Sequence, residues 1–157
     1  MRTLQTAIVL FVLCMAHAAV ASEPDKFAAN GLNENAVKVF FHRLQVDVRD
    51  GDKQDLSEIV SYPLKVRGDK STLTVHSKGE FVRRYHEIVT PDVRSVVLCQ
   101  GFDDLFVNYQ GMMIGRGTLW FGDVSSSESE KSTLKIITIN HDSYAKEFLR
   151  QCRAGQH

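Results

Sequence analysis

An α+β fold is the class this sequence predicts, with helices from the first half packed against an antiparallel sheet built from the second. Two observations carry that expectation. Apolar residues recur at three- and four-residue steps from Ala36 to Val48, which is the period of a helix with one buried face. Beyond residue 100 the pattern changes to β-rich runs, Leu105 to Tyr109, Met112 to Phe121 and Thr133 to Asn140, separated by Gln110-Gly111 and by a serine-rich stretch over 125–132.

The elements follow in order. Asn33 or Asn35 is placed to cap the first helix, whose face is Ala36, Val37, Phe40, Phe41, Leu44 and Val48, and Asp50-Gly51 ends it. Asp52 caps a shorter helix through Leu56, Ile59 and Val60, which Tyr62-Pro63 is expected to stop, because a residue before proline avoids the helical region. Leu64-Lys65-Val66 and Leu73-Thr74-Val75 alternate around Gly68-Asp69, the pattern of a hairpin. Ser77-Lys78-Gly79-Glu80 fits a capping box ahead of a helix bearing Phe81, Val82, Tyr85 and Val89. Thr90-Pro91 starts another helix, with Val93, Val96 and Val97 inward. The three β-rich runs then read as an antiparallel meander, and Tyr144 to Cys152 as a closing amphipathic helix.

Ahead of all this, residues 1–21 have the form of an export signal. Arg2 gives a basic start, Ala7 to Ala16 an apolar centre, and Ala19-Val20-Ala21 a small-x-small cleavage site before Ser22. Ten apolar residues fall short of the roughly twenty a membrane-spanning helix needs, so cleavage is expected to leave no membrane span. Leu13 directly before Cys14 argues against lipidation. Residues 22–32, polar and small with Pro24 and Gly31, are expected to form a flexible leader before a single domain over 33–157. The exported product is expected in the periplasm or outside the cell.

Charge and cysteine usage narrow the function classes. The chain carries 19 Lys and Arg against 19 Asp and Glu, and loss of Arg2 with the signal makes that 18 against 19. A nucleic-acid partner is therefore not expected, since phosphate binding needs a basic excess. Loss of the signal also leaves Cys99 and Cys152 as the cysteines of the product. Outside a reducing cytosol such a pair invites a disulfide, and two distant free thiols are the alternative, because bonding needs Cα atoms within about 7 Å. No His-x-x-x-His, Cys-x-x-Cys or acidic calcium loop occurs, so neither metal nor cofactor is expected. Gly-x-Ser-x-Gly is also missing.

The order of elements resembles the NTF2-like superfamily of cystatin-like cone folds. The local resemblance rests on Gly51-Asp52-Lys53, Tyr62-Pro63-Leu64-Lys65-Val66, Phe81 to Pro91, Leu105-Phe106-Val107-Asn108 and Gly111 to Phe121, which are similar to small exported bacterial members. The resemblance implies a strongly curved antiparallel sheet wrapped around the first helix, leaving a cone whose mouth holds a ligand. Gly115, Gly117 and Gly122 in or beside the longest β-rich run fit the bends of such a sheet.

Strand alternation puts Phe106, Asn108 and Gln110 on one face, and Met112, Ile114, Arg116, Thr118 and Trp120 on one face of the next run. A mixed pocket lined by Tyr62, Asn108, Arg116 and Trp120 is the candidate ligand site. The same residues also fit an ordinary half-wet sheet face. His42 fits a general base or a satisfied core-edge histidine, the second being favoured, His86 fits a solvent-facing position, and His76, His141 and His157 show no ligand spacing. Asp103, Asp104 and Asp123 have the positions of turn residues, and no catalytic residue is singled out. A non-enzymatic envelope binding protein for a small apolar ligand or a protein partner, an immunity-type protein included, needs the fewest special residues and is the favoured reading. An isomerase, dehydratase or hydrolase with a site inside the cone is the alternative, and pairing through exposed sheet faces would make a homodimer.

Overall fold

Helix α1 opens the fold over Glu34–Asp50, because Asn33 holds the amide of Ala36 with its side chain and Gly51 takes the left-handed conformation that ends it. The computed structural model describes residues 26–28, 31–125, 132–141 and 144–154. The export signal and most of the serine-rich stretch lie outside the described residues. Phe27 and Leu32, within the expected leader, are core residues: Phe27 packs at 5.5 Å from the Phe102 ring, and Lys26 donates to the carbonyls of Asp103 and Leu105.

Asp52 caps α2 (Lys53–Glu58) through the amides of Gln54 and Asp55. The expected continuation of this helix through Ile59 and Val60 is not seen. Strand β1 starts at Val60 and runs to Gly68, with a cis Tyr62-Pro63 bond inside it. Pro63 falls in the irregular stretch between Val60 and Lys65 where the ladder to the neighbouring strand shifts register, one of the few sheet positions that tolerate a residue with no N–H. Antiparallel to β1 is β2 (Thr72–Val75), as the alternation predicts, with Leu64 opposite Val75.

Ser77 caps α3 (Lys78–Arg83), but the reciprocal half of the capping box is displaced by one residue: Glu80 accepts the amide of His76. The single helix expected over Phe81 to Val89 is divided into α3 and α4 (Tyr85–Ile88), with Arg84 between them. Thr90 caps α5 (Pro91–Cys99) as expected.

The sheet departs from expectation in two ways. It is mixed, in the order β2-β1-β6-β5-β4-β3, because β1 runs parallel to β6 (Leu134–His141). It is open, with β2 and β3 (Phe106–Asn108) as its edges. The run Met112 to Phe121 is not one strand. β4 (Gly111–Ile114) and β5 (Leu119–Asp123) form a hairpin around a 3-10 turn over Gly115–Gly117. Gly115 and Gly117 are thus turn residues, not strand bends, and all three residues of the turn have positive φ. Gly115 is further required by space, since a Cβ there would fall 1.9 Å from a methyl of buried Val96. The last helix, α6 (Tyr144–Ala154), buries Ala145 and Leu149.

The helices cover one face of the sheet. Phe40 of α1 stacks on Phe121 of β5 with ring centroids 5.0 Å apart, and Val37, Phe41, Leu44, Met112, Ile114 and Ile136 belong to the same buried core. Most buried polar side chains are bonded. Gln100 accepts the amide of Gly115, Thr118 donates to the Gly115 carbonyl, and Ser57 donates to that of Gln54. Asp47 is the exception: its Oδ2 accepts no hydrogen bond and has only the Arg43 guanidinium, 3.5 Å away.

Burial pushes the Asp47 carboxyl above its ordinary range; Arg43 opposes the shift, and the charges of Asp55 and Asp52 add to it. The folded chain holds that proton more tightly than the unfolded chain, so the ionised group subtracts from stability above the raised value, and the penalty fades as pH falls through it. Asp47→Asn is expected to melt at or above wild type at neutral pH, with the difference closing in acid. A variant less stable than wild type at neutral pH would show that the Arg43 pair outweighs the cost of burial.

Candidate functional site

The four residues chosen from sequence are not brought together. Tyr62 lies beside α2, where its hydroxyl donates to the Ser57 carbonyl at 3.0 Å. Burial, helped by the charge of Glu58, pushes the phenol up to about 12, so it stays protonated as a structural donor. Asn108 ends β3, and its Oδ1 accepts the amide of Gln110 at 2.8 Å, a turn-forming bond. Arg116, at φ 57 in the turn after β4, is exposed and donates to Gln151 of α6 at 3.1 Å. The shared face expected for Arg116, Thr118 and Trp120 does not exist, because the turn resets the alternation: Thr118 is buried and Arg116 exposed.

Trp120 occupies the face of the sheet opposite the helices. The strand registers place it in one line across all six strands: Phe106 is opposite Met113, Met113 opposite Trp120, Trp120 opposite Thr138, Thr138 opposite Lys65 and Lys65 opposite Thr74. Phe106 is 51% exposed at one end of that line, and Tyr109 just beyond it is 88% exposed. A shallow cavity of about 310 Å³ is lined by Trp120, Arg67, Gln110, Ile137, Thr138 and Asn140. Tyr62, Asn108 and Arg116 do not line it. The irregular register opposite Trp120 and Phe121 adds Ile137 to this face, where it reaches over Gly122.

A larger cavity of about 490 Å³ opens between the start of α5, the end of β6 and α6, with Asp69, Asp92, His141 and Lys146 among its lining. His141 Nε2 lies 2.9 Å from the Ile88 carbonyl, which fixes that nitrogen as the donor when the ring is neutral. The four cavity residues make no ion pair with one another.

Cys99 and Cys152 are disulfide-bonded with their Cα atoms 6.3 Å apart, tying the end of α5 to α6. Among the described residues no group of three or more His, Cys, Asp and Glu is placed to hold a metal ion. Among them, too, no helix is long and apolar enough to cross a membrane.

Sequence reasoning missed Arg67, Ile137, Thr138 and Asn140. Ile137, Thr138 and Asn140 reach Trp120 through the β5–β6 ladder, with its irregular register, and Arg67 through the parallel β1–β6 ladder, which joins segments about 70 residues apart. Comparison with protein-family models, curated proteins and solved structures gives no match.

Proposed function

We propose that the chain is an exported, NTF2-like binding protein that acts without catalysis and meets its ligand or partner on the uncovered face of the sheet. One observation carries this reading: the space between α1 and the sheet is filled by Phe40, Phe121, Leu44 and Met112, whereas Trp120 stands half-buried on the opposite face in an open cavity. An interior site needs room and an ionisable group deep in the fold. Here the interior holds packed aromatic and aliphatic side chains, and the buried polar groups serve the backbone and Arg43.

The export half of the proposal rests on the signal-like residues 1–21, and the Cys99–Cys152 disulfide is compatible with it. Its NTF2-like half rests on the element order, two helices, a hairpin, further helices and then a four-strand meander. An isomerase, dehydratase or hydrolase is the second reading. The larger cavity favours it to the extent that His141, Asp69 and Asp92 are among its lining, but among the described residues no tyrosine or carboxylate is bonded to that imidazole.

The test is affinity capture from envelope extract with the full chain and with Trp120→Ala, reading both proteins and small molecules by mass spectrometry. A species retained by wild type and lost by Trp120→Ala is the expected result. Equal retention by both would move the site away from this face.

A further inference from the structure

The sheet face around Trp120 is cationic as well as apolar, which narrows what it binds. Resting on the reading above, we propose that the cavity takes a small monocarboxylate with an apolar body, the carboxylate on Arg67 and the body over Trp120 and Ile137.

Charge comes first. Among the described strand residues Asp123 is the one acidic side chain, whereas Lys65, Arg67 and Lys135 are basic. Asp123 is occupied: its carboxylate accepts from the amides of Ser125 and Thr133 and from the Ser125 hydroxyl, at 2.8–3.0 Å. Arg67 and Lys65 have no carboxylate partner among the described residues. The guanidinium is nevertheless positioned, because Nη1 donates at 3.3 Å to Oγ1 of Thr138, the residue directly opposite Trp120. Its remaining N–H groups have no protein acceptor among the described residues. A planar guanidinium held by one edge offers the other to a carboxylate, a fit that lysine cannot give.

Size and shape come next. About 310 Å³ is near the lower limit of ligand pockets, enough for one ring or a short acyl chain. Trp120 and Ile137 form the apolar wall, and Gln110, Thr138 and Asn140 the polar rim. An apolar body buried on the indole, with its charge satisfied at Arg67, avoids the cost of desolvating an unpaired anion.

Trp120 is the sole tryptophan of the chain, so its emission reports directly on the cavity. The full chain is titrated with 3-phenylpropanoate and with 3-phenylpropanamide, the same body without the charge. Saturable change in emission with at least tenfold preference for the carboxylate is expected. Arg67→Gln should abolish that preference while leaving the amide response and the melting temperature unchanged. Equal response to both probes, no saturable response to the carboxylate, or a preference that survives Arg67→Gln would each overturn the proposal. Capture of an acidic protein that needs both Arg67 and Trp120, with no response to phenylpropanoate, would overturn the small-ligand assignment and leave the sheet-face reading standing. If capture is also indifferent to Trp120, the sheet-face reading fails as well.

Discussion

Phe121→Ala should cost about 3–5 kcal/mol of folding stability, the range for deleting a fully buried aromatic ring. Phe121 is completely buried, it stacks on Phe40, and its strand is held on both sides by β4 and β6. The loss combines the transfer of the ring from water with the void left beneath α1, which the flanking strands hinder from collapsing. For a domain whose whole stability is about 5–15 kcal/mol, that is enough to depress the urea midpoint severely. A loss below about 1 kcal/mol in urea unfolding would mean that the region between α1 and the sheet repacks freely, and the claim of a filled interior would fall with it.

Reduction of Cys99–Cys152 should cost about 2–4 kcal/mol, from the conformational freedom an unfolded chain regains when a cross-link of this span is opened. The bond joins residues 53 positions apart and fastens α6 to α5. α6 otherwise depends on the burial of Ala145 and Leu149 and on surface bonds such as Arg116 to Gln151. Thermal melts with and without reductant should therefore differ for wild type and coincide for the Cys99→Ser, Cys152→Ser double variant. Wild-type melts unchanged by reductant, with free thiols verified by alkylation, would show that helix packing alone retains α6.

Local chemistry made much of the fold legible. Asn33, Asp52, Ser77 and Thr90 each cap the helix expected of them, and Leu64 to Val75 forms the expected hairpin, since each feature depends on residues a few positions apart. Errors arose where local signals were ambiguous. Val60 and Tyr62 fit the end of a helix as well as the start of a strand, and the choice is made by parallel pairing with β6, far away in sequence. Gly115-Arg116-Gly117 lies between apolar runs on either side, which masks its turn, and an unbroken alternation through it puts Arg116 and Thr118 on the same face. Trp120 could be singled out from its own strand. Arg67 could not, because nothing near it in sequence announces an indole across β6.

The most direct test of a sheet-face site is an amide and indole chemical-shift map of the full chain titrated with 3-phenylpropanoate. The account predicts perturbation of the Trp120 indole N–H and of the backbone around residues 65–67 and 137–140, with the core residues of α1 unmoved. Perturbation centred instead on Thr90 to Val93 and Ala145-Lys146, the walls of the larger cavity, would contradict it.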